Sequence, residues 1–251
     1  MQPIKEFTYK GYTNLLEIAL NVGYDFVSFS DVKTTTSKKF CVLRHDIDAS
    51  LNAAYEMASI EAKLGIKATY FIMLRSPIYN LFSRTNHQFV QKIIDLGHEI
   101  GIHYDEGFYA KKKELNSLIE EEALILQNMF EKEIGVVSFH QPSLKIINNE
   151  LKINKFINTY DRQDLDGVTY ISDSNKVWKE STPWEIFDQS KYLKMHLLIH
   201  PMWWMINDEL STEEIWSKTI VSNFKQEEKQ VHSTERAYGD ERDMFITAKQ
   251  K

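Results

Sequence analysis

The chain has 251 residues, of which 43% are hydrophobic and 26% are charged, and both values are ordinary for a globular protein. Its formal net charge is −6 and its basic residues are scattered among acidic ones, which argues against a nucleic-acid-binding surface. The single cysteine, Cys41, excludes an intrachain disulfide bond.

The N-terminal sequence has no apolar signal core, and no apolar run is long enough to span a bilayer. We therefore expect a cytoplasmic protein. Neither a Pro/Gly/Ser-rich linker nor an internal repeat divides the chain. The expectation is one domain over 1–251, with an N-terminal helical extension (about 1–35) and a C-terminal helix (about 212–231).

Helical and extended patterns alternate along the chain. Apolar residues at helical spacing predict helices over 12–22, 50–64, 87–96, 109–133 and 212–231. Apolar or alternating runs predict strands over 24–29, 40–45, 68–74, 98–103, 136–140 and 193–200. The region 144–191 is irregular, with short strands near 156–160 and 168–171. This alternation predicts a mainly parallel sheet wrapped by helices, either open or closed into a barrel.

Two carboxylates, Asp46 and Asp48, stand one residue apart where the strand beginning at Phe40 ends. An unpaired charge is costly to bury, and the carboxyl ends of strands are where α/β proteins place their chemistry. A structural alternative is an Asx-type turn in which Asp48 caps the helix that begins near Leu51.

Three further strands end in a histidine: His103, His140 and His200. So many ionisable residues at strand ends favour a functional site over a set of core histidines. The segment from His98 to His103 is not a zincin motif, because that motif needs two histidines four apart on a helix. On a strand, their odd separation points the two side chains to opposite faces, so we expect His98 to be structural.

Five segments between Arg44 and Trp204 together resemble the polysaccharide deacetylase (NodB-homology, carbohydrate esterase 4-like) superfamily. Their order along the chain is that of the superfamily, and the nearest branch opens on Arg-His-Asp-x-Asp and is found with surface-polysaccharide genes. The matching segments are 44–48, 68–71, 97–103, 138–142 and 198–201.

The resemblance implies a deformed (β/α) barrel with one divalent metal ion, usually zinc, at the carboxyl ends of the strands. It assigns Asp46 as general base, Asp48 and His103 as metal ligands, and His200 as general acid. The residue types suit amide hydrolysis, because a metal ion makes a water nucleophilic near neutral pH and a histidine can protonate the departing amine.

The chain departs from the superfamily pattern at two positions. The ligand histidine usually found four residues after the first is Gly107 here, and the arginine that usually flanks the base in the third motif is His140. A third ligand could therefore be His140, Glu106 or water. We favour His140 because it also stands at a strand end, although a surface or supporting role would explain His140 and Glu106 equally well.

Several other residues have weaker assignments. Trp203, next to Trp204, is expected to contact the sugar, although aromatic residues at a strand end are commonly part of the core. Asp173 and Trp178 fall where the family often has an Asp/Trp pair that supports the acid. His196 shares a strand face with His200, and we expect a core or supporting role for it.

Together these features predict a metal-dependent amidohydrolase that removes an acyl group, most simply acetyl, from an amino sugar. With no signal segment in the sequence, the expected substrate is a cytoplasmic nucleotide- or lipid-linked precursor of a surface polysaccharide. One alternative is hydrolysis of another small C–N bond, as in imidases. A second is a catalytically silent sugar-binding protein, favoured by the missing ligand histidine and opposed by the retention of both an acid and a base.

Overall fold

In the computed structural model of the chain, the described residues are 6–108, 114–179, 181–205, 210–235 and Tyr238. The helices are α1 (Tyr9–Asn21), α2 (Leu51–Lys63), α3 (Arg84–Asp95), α4 (Leu115–Phe130), α5 (Leu144–Ile147), α6 (Pro183–Asp188) and α7 (Thr212–Thr234). The strands are β1 (Asp25–Val27), β2 (Phe40–Ile47), β3 (Thr69–Ile72), β4 (Glu99–Asp105), β5 (Val136–His140), β6 (Ile157–Asn158), β7 (Thr169–Ser172) and β8 (Lys194–Ile199). None of the described helices combines the length and the apolar character needed to cross a bilayer.

All strand pairs in the described sheet are parallel, and the strand order is β6-β5-β4-β3-β2-β8-β7, with β1 paired to the first half of β2. Side chains from β2, β3, β5 and β6 meet in one small apolar cluster, so the sheet is curled around it. The strands therefore form an incomplete barrel with β6 and β7 at its edges. The predicted deformed (β/α) barrel is confirmed.

Strand β2 is buried over its whole length and carries the alternation that positions the site. Phe40 and Val42 pack inside the barrel, whereas Cys41 and Leu43 pack outward against the helices. Because successive side chains of a strand point to opposite faces, Arg44 and Asp46 also lie on the interior face. Strand β2 therefore places the carboxylate of Asp46 inside the barrel, at the carboxyl end of the strand.

The turn between β2 and α2 does not use Asp48 as a helix cap. Ser50 is the N-cap residue, and its side chain accepts a hydrogen bond from the Ala53 amide at 3.1 Å. Since the cap is supplied two residues later, the carboxylate of Asp48 remains available for other contacts. The capping alternative is wrong for Asp48.

The region 144–191 contains more helix than the sequence patterns predicted. Helix α6 begins with a capping box in which Thr182 and Glu185 bond each other's backbone amides, and it packs against α1. The segment Thr-Pro-Trp-Glu is a helix-start signature that periodicity alone does not detect, because the helix is only six residues long. Helix α4 ends three residues earlier than predicted, and residues 109–113 of its predicted span lie outside the described residues.

A buried polar cluster lies on the outer face of β2. Glu61 of α2 is 0% exposed, and it accepts hydrogen bonds from His45 at 2.7 Å, from Tyr70 at 2.8 Å and from Tyr12. Burial alone would raise the pKa of Glu61, but His45 and the other partners hold it below its ordinary value. The carboxylate is therefore ionised in the folded protein and ties α1, α2, β2 and β3 together.

Replacing Glu61 by Gln should lower the free energy of unfolding by roughly 3–5 kcal/mol, because it leaves the buried partners of a carboxylate unmatched. A group whose folded-state pKa is depressed contributes stability above its ordinary pKa and loses that contribution as the pH falls. Chemical denaturation at several pH values should therefore show the parent losing stability below about pH 4.3, with a smaller loss in Glu61→Gln. Glu56→Gln, on the exposed side of the same helix, is the matched control. Equal stability of the two variants would contradict this role.

Candidate functional site

The carboxyl ends of β2, β4, β5 and β8 meet at one end of the barrel. A cavity of about 300 Å³ opens there, and all five residues predicted to form the catalytic and metal site line it. They are Asp46, Asp48, His103, His140 and His200. Strands far apart in sequence bring them together because parallel strands end at the same edge of the sheet.

Asp48, His103 and His140 form a compact group that could hold a metal ion. The Asp48 Oδ1 atom lies 3.0 Å from His103 Nε2 and 3.2 Å from His140 Nδ1. Yet Asp48 Oδ1 is buried without a hydrogen-bond partner among the described residues. Two imidazole nitrogens and an unsatisfied carboxylate oxygen fit a divalent cation, because these are the donor types that zinc takes in sites with three protein ligands.

The ring of His103 is oriented by Ser138 of β5. His103 Nδ1 and Ser138 Oγ lie 2.7 Å apart, and Ser138 Oγ also lies 3.4 Å from Asp46 Oδ1. If Nδ1 carries the proton of that contact, the Nε2 lone pair faces Asp48, as a metal ligand requires. Sequence reasoning matched Ser138 to a motif but gave it no role.

The structure separates the two residues considered for the third ligand. His140 lies in the group with Asp48, whose carboxylate raises the pKa of His140. Glu106 instead accepts hydrogen bonds from the Ser143 amide at 2.6 Å and from the Ser143 hydroxyl at 3.0 Å. Its carboxylate is thus engaged in a loop contact. This geometry favours His140 over Glu106 as the third ligand, and that assignment stays a prediction.

Asp46 is held by a buried arginine on its own strand. Arg44 donates from Nε to Asp46 Oδ1 at 2.8 Å and from Nη2 to Oδ2 at 2.7 Å, and its Nη2 also donates to the Tyr160 hydroxyl at 3.1 Å. Burial would raise the pKa of Asp46, but Arg44, followed by His103 and His200, keeps it below its ordinary value. Asp46 is therefore an ionised, fixed proton acceptor. Sequence reasoning missed Tyr160, which no motif marks.

His200 is oriented by Asp173, as the resemblance suggested for that position. Its Nδ1 donates to Asp173 Oδ1 at 2.6 Å, and its backbone amide contacts both carboxylate oxygens at 3.0 Å. Burial opposes the charged ring, but Asp173 outweighs it and raises the pKa of His200 to about 9. The other ring nitrogen, Nε2, lies 3.9 Å from Asp48 Oδ2. His200 thus presents a free donor to the cavity.

The tryptophan that supports Asp173 is Trp204, and the assignment of Trp178 to that pair is wrong. Trp204 Nε1 donates to Asp173 Oδ2 at 2.9 Å. Trp178 instead stacks on Phe7 and meets the edge of Trp204. The two indoles are neighbours in space although 26 positions separate them, so only the fold distinguishes them.

Two other predicted residues have clear positions. Trp203 lines the cavity, but it is only 5% exposed and packs edge-on against Trp216 of α7, so any sugar contact would use a small part of its ring. His98 accepts from the Ala68 amide and donates to the Ala58 carbonyl, which are the contacts of a structural histidine. His98 and His103 lie on opposite faces of the sheet, as predicted.

No protein-family model and no curated protein sequence matches the chain. Solved structures do match it. One is a mutant, with restored enzymatic activity, of a CE4 family pseudoenzyme from Bacillus anthracis, with 16% identity, a TM-score of 0.45 and coverage of 76% of this chain. A Streptococcus mutans CE4 esterase has 16% identity, a TM-score of 0.44 and coverage of 83% of this chain and 90% of the esterase.

A third match, a family 4 carbohydrate esterase from Bacillus anthracis, has 12% identity and a TM-score of 0.41, with 84% of this chain and 85% of that one covered. This chain spans 64% of the length of the pseudoenzyme mutant.

The metal group gives a first test of the site. His140→Ala and Asp48→Asn should each weaken binding of Zn²⁺ by more than the roughly 10–100-fold that loss of an outer-shell partner costs. Glu106→Gln should bind Zn²⁺ like the parent. Competition with a chromogenic chelator measures these affinities. A loss in Glu106→Gln with none in His140→Ala would move the third ligand to Glu106, whereas no loss in Asp48→Asn would reject the metal site.

Proposed function

We propose that this protein is a metal-dependent amidohydrolase that removes an acyl group, most simply acetyl, from the nitrogen of an amino sugar. The observation that carries the proposal is the convergence in one cavity of the Asp48–His103–His140 group, an ionised Asp46 and an Asp173-bound His200. A structural metal site would need neither the fixed base nor the fixed acid.

Asp48, His103 and His140 are the residues that would hold the cation. When bound, such a cation lowers the pKa of a water to about 7 and polarises the acyl carbonyl. Asp46 contributes a proton acceptor on the interior side of this group, with one carboxylate oxygen 3.7 Å from His103 Nδ1. Arg44 keeps that carboxylate ionised and fixes its plane, so that the proton of an attacking water has one defined destination.

His200 contributes the proton that an amine leaving group needs. Because Nδ1 is committed to Asp173, the proton available to the cavity is the one on Nε2. Asp173 raises the pKa of His200, which favours the protonated ring. Transfer of this proton to the departing nitrogen would complete cleavage of the C–N bond, and reprotonation from solvent would restore the acid.

The lining of the cavity supports an N-acylated amino sugar as the substrate class. Tyr160, Tyr170, Trp203 and Trp216 contribute aromatic surface, and Gln141 and Asn175 contribute amide groups. Aromatic faces beside side chains that can hydrogen-bond suit a sugar ring, which has apolar faces and a polar rim. We extend the proposal to a nucleotide- or lipid-linked precursor of a surface polysaccharide.

Acetate release from a panel of N-acetylated amino sugars, free and nucleotide-linked, tests the proposed activity directly. We expect release by the Zn²⁺-loaded protein and none after chelation. Asp46→Asn should reduce turnover by about 100-fold or more while Zn²⁺ stays bound, because the shape is kept and the proton acceptor is lost. The thermal stability of Asp46→Asn should be measured as well, because Arg44 loses its ion pair in this variant. Sugar binding without acetate release from any substrate would favour the silent binding protein.

The pair of His200 and Asp173 makes a separate prediction about pH. Asp173 raises the pKa of His200, so Asp173→Asn should lower that pKa and deprotonate the acid at a lower pH. The alkaline limb of the profile of kcat/KM against pH should therefore move to lower pH, and the acidic limb should stay in place. An unmoved alkaline limb in Asp173→Asn would remove His200 from the role of acid.

A further inference from the structure

The loop after β5 has an unusual backbone conformation beside the cavity that contains Asp46 and Asp48, which we name the catalytic cavity. Gln141 has a φ of 45°, in the left-handed region that residues other than glycine adopt only uncommonly. The next residue is Pro142, and a proline favours an extended conformation in the residue before it. Local sequence preference therefore does not explain the conformation of Gln141.

The structure on both sides of Gln141 imposes this conformation. His140, before it, is the last residue of β5 and is paired with Asp105 of β4. After it, the Ser143 amide and the Ser143 hydroxyl both donate to Glu106, at 2.6 and 3.0 Å. Backbone strain persists only where the surrounding structure holds it, and strained residues cluster at active sites and ligand-binding sites. The strain at Gln141 therefore points to a functional role for this residue.

A second amide residue of the catalytic cavity has a similar backbone conformation. Asn175, in the loop after β7, has a φ of 59°. Among the described residues, seven that are not glycine have a positive φ, and Gln141 and Asn175 are the two of them that line the catalytic cavity. Asparagine adopts this conformation more readily than glutamine does, so Asn175 adds little strain. What it adds is the same side-chain chemistry in the same cavity.

The two amide side chains are available to a ligand. Both residues are exposed, and neither carboxamide has a hydrogen-bond partner among the described residues. By contrast, the carboxylate of Asp46 is already bonded by Arg44. A carboxamide can donate and accept hydrogen bonds at the same time, which matches the capacity of a sugar hydroxyl group. It carries no charge, so it can bind a neutral ligand without disturbing the charges around Asp48.

Gln141 and Asn175 stand next to different parts of the proposed chemistry. Gln141 directly follows His140 of the metal group. Asn175 comes two residues after Asp173, which orients His200. An N-acyl group that reacts in this cavity would have its carbonyl at the metal group and its nitrogen toward His200. The groups on the ring atoms next to that nitrogen would then lie in the part of the cavity that the two amides line.

We propose that Gln141 and Asn175 determine the specificity of the site by bonding the ring hydroxyl groups next to the N-acyl group. In this proposal the contact between Glu106 and Ser143 positions Gln141. The inference rests on the proposed function for the identity of the reacting group, but binding can be measured without any reaction. It narrows the substrate to an N-acylated sugar with a free hydroxyl group beside the acylated nitrogen, and it excludes a simple amide.

Calorimetry on the Zn²⁺-loaded protein tests this role. The probes are the methyl β-glycosides of N-acetylglucosamine and N-acetylgalactosamine, and N-cyclohexylacetamide, which has the ring and the acyl group but no hydroxyl groups. We expect the parent to bind one of the sugars at least about tenfold more tightly than N-cyclohexylacetamide, the effect of about one hydrogen bond. Gln141→Gly and Asn175→Gly should each lower the affinity for that sugar by about tenfold and leave the affinity for N-cyclohexylacetamide unchanged.

These substitutions separate ligand binding from a structural role. Glycine adopts a positive φ without steric cost, so Gln141→Gly should be at least as stable to heat as the parent and should bind Zn²⁺ equally well. Asn149→Gly is the matched control, because Asn149 has a φ of 58° but does not line the catalytic cavity. It should bind the sugar like the parent.

A double-mutant cycle tests the contact that positions Gln141. Glu106→Ala should weaken sugar binding in the parent and leave Zn²⁺ affinity unchanged. In the Gln141→Gly background the same substitution should have no further effect on sugar binding, because the side chain that Glu106 positions is gone. An equal effect of Glu106→Ala in both backgrounds would reject this positioning role.

The outcomes distinguish this inference from the proposed function. Loss of sugar affinity in the two glycine variants of a protein that releases no acetate would support the inference and reject the amidohydrolase. Acetate release with unchanged sugar affinity in both variants would do the reverse. An unchanged affinity in one variant would remove that residue from the role. A parent that binds neither sugar more tightly than N-cyclohexylacetamide would overturn the inference as a whole.

Discussion

The salt bridge between Arg44 and Asp46 inside the barrel is the interaction on which the site depends. Both side chains are almost wholly buried, and two parallel hydrogen bonds join them within one strand. Removing two charges from water costs several kcal/mol per ion, which is offset only by close geometry and by further hydrogen bonds. Tyr160 and Ser138 supply those hydrogen bonds. The Arg44–Asp46 pair therefore holds Ser138 of β5 and Tyr160 of the segment after β6 beside the Asp46 carboxylate.

The same strand carries a second buried polar pair on its other face. His45 bonds Glu61 against the helices, while Arg44 and Asp46 face the barrel interior. Because successive residues of a strand point oppositely, neither network can shift along the strand without disturbing the other. The end of β2 is thus held from both sides, and rigid support of this kind is what positioned catalytic groups require.

The sequence predicted only part of this site, because each kind of sequence pattern reports on a limited set of structural features. Alternation predicted a mainly parallel sheet, open or closed, and strand ends indicated Asp46, Asp48, His103, His140 and His200 as site residues. The barrel itself was implied by the family resemblance. The burial of Glu61 was not predicted, because a glutamate in an amphipathic helix cannot be distinguished from a surface residue until its partners are known. The resemblance paired Trp178, and not Trp204, with Asp173, since only the fold shows which indole reaches the carboxylate.

A second cavity, at the edge of the barrel where β6 and β7 are not joined, was not predicted from the sequence for a related reason. Its lining comes from β8 and from the segment between β6 and β7, which has no strong periodicity. His196 was expected to be a core or supporting residue, and its burial agrees with that expectation. What sets it apart is the missing hydrogen-bond partner, a property of the assembled barrel that no local pattern encodes.

Charge balance explains why Asp48 is the carboxylate suited to a metal ion. Three carboxylates line or support the catalytic cavity, and two of them have a cation of their own: Arg44 for Asp46, and His200, whose pKa is raised, for Asp173. Among the described residues, Asp48 has no lysine or arginine partner and is surrounded by imidazoles. A carboxylate that is largely removed from water favours a counter-charge. The resemblance predicts a second histidine where the sequence has Gly107; in the structure His140, opposite Asp105 on the adjacent strand, brings an imidazole to the carboxylate of Asp48.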